Sequence, residues 1–282
     1  MKSIHLWVSG LAETGGIQHY SWCLARALRE LYPQARLIIF SRNDRPGTHA
    51  DIAGAEVRCF GHYPGKTGHL FFPLAGLVAQ LMSRPGLCIA THPAFAKALR
   101  WPARLGVRCL VSAHGIEVWG EALQKLKTAL ADMTGIMPVS DFTRGVLIRE
   151  GGLAAARIAA VPDTVREDFF LPGPKPMSLL QRHGLSLQQP VLLTVGRLYA
   201  SEAYKGQDQV IAALHEIRRV HPEVRYIIAG TGDDEPRLRR LVTEFGQEDA
   251  VIFAGFVPEA ELADYYRLCD VFVMPSTGEG FG

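Results

Sequence analysis

The sequence has no apolar run of the roughly 18 residues that a membrane-spanning helix requires, so no spanning helix is expected. Its five cysteines, Cys23, Cys59, Cys88, Cys109 and Cys269, contain no C-x-x-C pair. A disulfide scaffold and a thiolate metal site are therefore not expected, and free thiols in a reducing cytosol fit the pattern best. The ten histidines form no H-x-x-x-H pair and no D-x-D cluster stands at a strand end, which removes the usual metal sets. Neither a G-x-S-x-G elbow nor a P-loop is present. A net charge of +2, from 30 basic and 28 acidic residues, is too balanced to indicate a nucleic-acid partner. Low-complexity stretches are missing too, and the 28 glycines and 17 prolines are spread along the chain, which excludes collagen, coiled coil and disorder. The opening stretch Met1 to Ala12 is short and is followed at once by Glu13 and a glycine loop, so a first strand is expected there rather than a signal peptide.

What the chain does have is a twice-repeated alternation of short apolar runs with segments of helical period, the signature of β-α units around parallel sheets. The 282 residues suit about two domains at roughly 150 residues each. In the first, strands are expected at Ile4–Ser9, Arg36–Phe40, Val57–Phe60, Leu87–Thr91, Arg108–Ala113, Gly135–Val139 and Ile158–Val161, with a helix over Ile17–Leu31 whose Ile17, Tyr20, Leu24, Leu28 and Leu31 form one apolar stripe. The densest prolines, from 169 to 190, mark the inter-domain connection, giving domains at 1–168 and 191–282. In the second, strands are expected at Val191–Val195, Tyr226–Ala229, Val251–Ala254 and Val271–Met274, with helices near Gly206–Val220, Glu235–Phe245 and Glu259–Arg267. The two halves differ in charge: 1–165 carries 18 basic and 11 acidic residues, 166–282 carries 12 and 17. Such asymmetry fits an anionic surface as partner of the first half, or scatter over solvated faces.

Several motifs stand where strands end. Gly15-Gly16 opens the first helix, where backbone N–H groups suit a phosphate or simply form a tight turn. His114-Gly115-Ile116-Glu117 follows a strand, so an imidazole and a carboxylate meet the edge at which open α/β sheets bind ligands; a satisfied turn is the other reading. Gly196-Arg197-Leu198 and Lys205-Gly206 place two cations at one βα mouth, a fork and a point charge fit to neutralise a diphosphate. Gly230-Thr231-Gly232-Asp233-Asp234 reads as ordinary turn chemistry. The last stretch, Pro275-Ser276-Thr277-Gly278-Glu279-Gly280-Phe281-Gly282, sets a glycine-flanked carboxylate at a strand mouth, able to bond sugar hydroxyls or to cap a helix.

Taken in order, Gly15-Gly16, His114-Gly115-Ile116-Glu117, Val161-Pro162-Asp163-Thr164-Val165, Val195-Gly196-Arg197-Leu198, Lys205-Gly206 and Glu279-Gly280-Phe281-Gly282 resemble retaining glycosyltransferase family 4. Tyr204-Lys205-Gly206-Gln207-Asp208 further resembles bacterial members that build exopolysaccharide or lipid-linked oligosaccharide, many of them mannosyltransferases. The resemblance implies the GT-B fold: α/β, two Rossmann-like doubly wound domains facing a cleft, acceptor on the first and nucleotide sugar on the second. It implies that Arg197 and Lys205, with Gly16, hold the donor diphosphate, and that His114 and Glu279 are catalytic, contacting the donor sugar. Gly15, Glu117, Gly280, Phe281 and Gly282 fall to sugar or acceptor binding. It implies front-face displacement, the leaving diphosphate accepting the acceptor's proton, with a GDP-sugar or UDP-sugar as substrate and neither cofactor nor metal. Two departures are visible. Pro162-Asp163-Thr164-Val165 replaces the family's frequent Pro-Asn-Gly-Val, a tolerable swap in a turn. The second glutamate of the family's E-x7-E motif would lie eight positions after Glu279, beyond Gly282, so the second domain is expected to be incomplete and the chain a fragment with little turnover.

The apolar stretch Leu70–Met82, flanked by Lys66 and Arg84 and followed by Lys97, Arg100, Arg104 and Arg108, is expected either to pack on the sheet or to lie on an anionic leaflet beside a lipid-linked or saccharide acceptor. The resulting expectation is a cytoplasmic hexosyltransferase, for mannose or glucose, at the inner face of the plasma membrane. The competing readings are a sugar-nucleotide epimerase and a catalytically inactive binding protein of the same fold.

Overall fold

The computed structural model describes residues 2–12, 15–48, 52–63, 66–164 and 169–281, and for 66–70 the backbone only. The chain divides into two units, Met1–Val165 together with Glu279–Gly282, and Arg166–Gly278.

The first unit holds six parallel strands, β1 (Ser3–Val8), β2 (Arg36–Ser41), β3 (Ala55–Cys59), β4 (Leu87–Ala90), β5 (Cys109–Ala113) and β6 (Gly135–Pro138), in the order β3-β2-β1-β4-β5-β6. All of β1 is buried, as befits a parallel strand covered on both faces by crossover helices. Those helices are α1 (Gly16–Leu31), α2 (Lys66–Ser83), α3 (Ala96–Arg104), α4 (Gly120–Ala131) and α5 (Asp141–Arg149). Ile4, Leu6 and Val8 pack with Ala25 and Leu28 of α1 on one side of the sheet. On the other, Trp7 packs with Phe40, Phe72 and Phe95. Strand order reverses between β1 and β4, and in open α/β sheets ligands bind where it does.

Two expectations for this unit change. Ile158–Val161 forms no strand; Ile158 makes one isolated parallel bridge with Ile136, and Ala159 and Val161 donate to the Ile136 and Pro138 carbonyls. The segment thus runs along the free edge of β6, with the Ile158 carbonyl accepting from the Arg144 guanidinium. Of the two readings of Leu70–Met82, packing on the sheet holds for one face of α2 only. Phe72, Ala79 and Gln80 are buried, and Gly76 lies on the Trp7 indole so closely that a Cβ would overlap it. Phe71, Leu74, Val78, Leu81 and Met82, at helical spacing, are 45% to 82% exposed.

The second unit contains β7 (Val191–Val195), β8 (Arg225–Ala229), β9 (Val251–Gly255) and β10 (Val271–Phe272), parallel and in the order β10-β7-β8-β9. Order here reverses between β7 and β10. The last strand is shorter than its apolar run because it lies at the sheet's edge: Val273 still donates to Leu193, and Pro275 follows, with no N–H to give. Helix α6 (Met177–His183) falls within the stretch read as a connection. It buries Leu179 and Leu180 against Val191, Leu193, Tyr265 and Leu268, so this stretch belongs to the second unit's core. The remaining helices are α7 (Gln207–Val220), α8 (Glu235–Glu244) and α9 (Glu259–Leu268).

All five cysteines are free; Cys88 and Cys109 are paired in register on adjacent strands, and burial holds the Cys88 thiol well above its ordinary range.

Candidate active site

In the second unit the site is built on the loop that leaves β7. Lys205 lies over Gly196, with Nζ 3.5 Å from where a Cβ would stand, an ordinary contact distance. Glu202 sits between the two cations: its Oε2 accepts from Lys205 Nζ at 2.6 Å and its Oε1 pairs with Arg197. Glu202 and Lys205 are 13% exposed, whereas Arg197 is 68% exposed and lies over the Tyr199 ring, so one cation is buried beside the carboxylate and the other meets solvent. Gly206, at φ +80°, ends this loop and opens α7; a Cβ there would stand 2.7 Å from the Pro275 carbonyl oxygen. The first turn of α7 carries no side-chain cap, and its Asp208 is turned to Arg237 at 3.1 Å. The expected diphosphate cations therefore converge on one carboxylate, a single anionic group held at the carboxyl edge of β7.

In the first unit the loops after β1, β4 and β5 carry the candidates. Gly15 and Gly16 open α1, whose N-terminus has neither a side-chain cap nor an acidic residue in its first turn. The preceding loop is fixed by Asp44, which is buried and accepts from the backbone N–H of Leu11 at 2.7 Å and of Ala12 at 3.1 Å and from the Ser41 hydroxyl at 2.6 Å. His114 follows β5. Its Nε2 donates to the Thr91 carbonyl at 2.9 Å, and its Nδ1 faces Asp163 Oδ1 at 3.5 Å, an ion-pair separation. Tyr20 of α1 meets the ring edge-on, centroids 5.0 Å apart, with its hydroxyl 2.9 Å from that of Ser112.

Burial alone would lower the pKa of His114; Asp163, the Thr91 carbonyl and Glu117 outweigh it and raise the pKa above the ordinary value. Glu117 does not reach outward with both oxygens: Oε1 accepts from the backbone N–H of His114 at 2.5 Å, closing the turn. Trp119 packs edge-on against Phe142 at 5.3 Å. The tail comes back to this loop. Gly115, at φ +151°, and Gly280 touch backbone to backbone: a Cβ on Gly115 would stand 2.7 Å from Gly280 Cα, and one on Gly280 would overlap the His114 carbonyl oxygen. Glu279 and Phe281 flank that contact, while Gly282 lies outside the described residues.

The structure thus brings together His114, Glu117 and Gly280 in the first unit, and Arg197 and Lys205 in the second. Three carboxylates were not singled out as site residues from the sequence: Asp44, Glu202 and Asp163. Glu202 has a signal in its spacing, three residues before Lys205; Asp163 stands in a motif read only as a turn; Asp44 is recognisable only once β1 and β2 are paired. Among the described residues no group of three or more His, Cys, Asp and Glu could hold a metal ion, and no helix is long and apolar enough to cross a membrane.

The family profile described as Glycosyl transferases group 1 matches residues 178–282. A GDP-mannose-dependent alpha-(1-6)-phosphatidylinositol monomannoside mannosyltransferase of Mycolicibacterium smegmatis is 34% identical over 185 residues, 64% of this chain and 47% of that one. The chain spans about half the length of the first curated relatives it matches. D-inositol 3-phosphate glycosyltransferase 2 of Catenulispora acidiphila is 35% identical over an alignment that covers 100% of this chain and 74% of that protein. Among solved structures, sucrose-phosphate synthase of Thermosynechococcus elongatus superposes with a TM-score of 0.79 at 21% identity, over 100% of this chain and 77% of that one. HepE of Anabaena, in complex with UDP and glucose, does so at 0.72 and 20%, over 98% and 75%. These likenesses establish the fold: α/β with Rossmann-like parallel sheets, as in the GT-B glycosyltransferases.

Proposed function

The chain belongs to the group 1 glycosyl transferases, and from that premise we propose that it serves a retaining hexosyl transfer of the family 4 type, from a nucleoside diphosphate sugar to a lipid-linked or saccharide acceptor of cell-surface polysaccharide. The observation that carries this reading is the pair Arg197 and Lys205 converging on a single carboxylate at the end of β7. Two cations held around one anion suit a diphosphate leaving group, whose charge grows as the bond to the sugar breaks. In this reading the acceptor hydroxyl attacks the anomeric carbon from the face that the diphosphate leaves, and a diphosphate oxygen takes the hydroxyl proton. In the second unit Arg197 and Lys205 bind the diphosphate; in the first, the open turn at Gly16 suits a phosphate, and His114 and Glu279 contact the sugar, with Gly15, Glu117, Gly280 and Phe281 around it. The donor is a GDP- or UDP-hexose, mannose or glucose, and no metal takes part. The names of two relatives carry inositol, which puts inositol-containing acceptors first in a screen.

The test is calorimetric titration with GDP and UDP in EDTA, followed by turnover of GDP-mannose and UDP-glucose with and without acceptor. Binding lost in Lys205→Met supports the reading, and failure of both nucleotides to bind at millimolar concentration sinks it. A product formed without acceptor would favour the epimerase; binding with no turnover of either donor would favour the inactive binding protein.

A second element of the reading concerns the exposed face of α2. Its stripe of Phe71, Leu74, Val78, Leu81 and Met82, followed by Arg84, suits the boundary of an anionic bilayer at the cytoplasmic face, where a lipid-linked acceptor is presented. Sedimentation with phosphatidylglycerol vesicles is expected to fall in Leu74→Asp with Leu81→Asp. Equal partition of this variant and the parent chain would remove the membrane contact.

A further inference from the structure

We propose that Asp163 is the positioning residue of His114: with Thr91 accepting from Nε2, its carboxylate opposite Nδ1 keeps the ring doubly protonated, so that His114 serves as a fixed cation and not as a base.

A backbone carbonyl only accepts, so the 2.9 Å contact with Thr91 requires the proton on Nε2. A neutral ring would then turn the Nδ1 lone pair toward Asp163 Oδ1, two acceptors face to face at 3.5 Å. Both atoms are out of reach of solvent, and neither has a hydrogen-bond partner among the described residues. Leaving two such groups unpaired costs about 1–3 kcal/mol each. One proton on Nδ1 removes both penalties and makes the contact an ion pair, which a closure of about 0.6 Å turns into a charge-assisted hydrogen bond.

The neighbours from every side agree with that charge. Asp163 arrives on the segment after Ile158, and Glu117 on the turn after β5, its carboxylate bonded to the His114 N–H. Glu279 precedes the Gly280 that lies on the His114 carbonyl. From α1 comes Tyr20, whose phenol is pushed upward by burial and by Asp163, so it stays neutral. After β4 stands His92, lowered mainly by its own burial and further by the charges of His114 and Arg42 against the pull of Glu117, so it stays neutral as His114 takes the proton. An asparagine at 163 would supply no charge to hold the second proton, so the departure noted in Pro162-Asp163-Thr164 changes the state of a side chain 49 positions upstream.

An imidazolium with both N–H groups anchored has no lone pair to take a proton from the acceptor. This deepens, and for its catalytic half rests on, the proposed transfer, in which the leaving diphosphate takes that proton. Because the group is needed charged, turnover is expected to be present below the pKa of His114 and to fall as pH rises through it.

The test uses the 282-residue chain labelled with 15N in its histidine rings, the His114 signals being those absent from His114→Gln. His114 is expected to titrate above 6.5 in the parent chain. In Asp163→Asn it should fall, because the carboxylate that opposes the effect of burial is gone. Asp163→Glu is expected to bring it back up. Titration at or below 6.5 in the parent, or an unchanged value in Asp163→Asn, overturns the proposal. The alkaline limb of kcat should move down in Asp163→Asn by the same shift, with donor KM unchanged, and an unmoved limb overturns the catalytic half. If no donor turns over at all, the transfer reading fails while the ring titration still decides the charge of His114.

Discussion

Glu202 occupies the place where a diphosphate would meet Lys205, which makes Glu202→Gln the most informative single change. A phosphate oxygen and the Glu202 carboxylate sharing one ammonium would stand about 5 Å apart, and at effective dielectrics between 20 and 80 their repulsion is roughly 1–3 kcal/mol. Arg197 is largely exposed and solvent screens its side of the site, so the lower end applies. Glutamine keeps the shape and removes the charge. Affinity for GDP or UDP, measured by calorimetry at low salt, should therefore tighten by about 1 kcal/mol, roughly fivefold, with a steeper salt dependence. Guanosine and uridine, which bring no phosphate, should bind both proteins alike. Weaker diphosphate binding in Glu202→Gln would refute the reasoning, because Glu202 would then be organising the cations and not competing for them.

Lys205→Met removes the largely buried cation and one of the two partners of Glu202; diphosphate binding should weaken by about 1.5–3 kcal/mol, and Arg197→Met by less, because Arg197 is screened. Gly280→Ala forces a methyl into the His114 carbonyl, so turnover should fall while nucleoside diphosphate binding to the second unit stays, a split that turnover and calorimetry read separately. Gly76→Ala drives a methyl into the Trp7 indole and should cost about 1–3 kcal/mol in urea unfolding followed by near-UV circular dichroism; an unchanged midpoint would mean that α2 does not lie on Trp7 as described. His5, buried against Phe40 with its pKa lowered to about 4, is bound neutral: the unfolded chain takes up its proton first, so this contribution to stability is whole above about 6.5 and is lost as pH falls toward 4. It amounts to about 3 kcal/mol, and His5→Leu should flatten that part of the stability curve between pH 7 and pH 4.5.

Strand positions in both units were legible because a parallel strand buried on both faces is a mostly apolar run, as in Ser3–Val8 and Val191–Val195. The stretch Ile158–Val161 carries the same composition and still fails to become a strand: one isolated bridge and two hydrogen bonds to β6 engage one side of it, and among the described residues no further strand pairs with the other. Composition reports burial, and a ladder needs a neighbour in register, which no local window contains. The same limit separates the site residues that could be read from those that could not. Arg197 and Lys205 are cations beside glycines at a strand end, a pattern confined to ten residues. Asp44, Glu202 and Asp163 act through a partner loop: Asp44 through the turn at Leu11, Asp163 through a ring 49 positions away, and Glu202 through the two cations at once. In each case the carboxylate does not face outward as a ligand would. Asp44 and Asp163 fix the position or the charge of a group expected to face the ligand, whereas Glu202 holds the place between its two cations that the ligand would take; in the sequence each is an ordinary acidic residue in a loop. Such carboxylates stand where donors need an acceptor: the N–H groups of Leu11 and Ala12, the buried ammonium of Lys205 and the second ring nitrogen of His114 each face one.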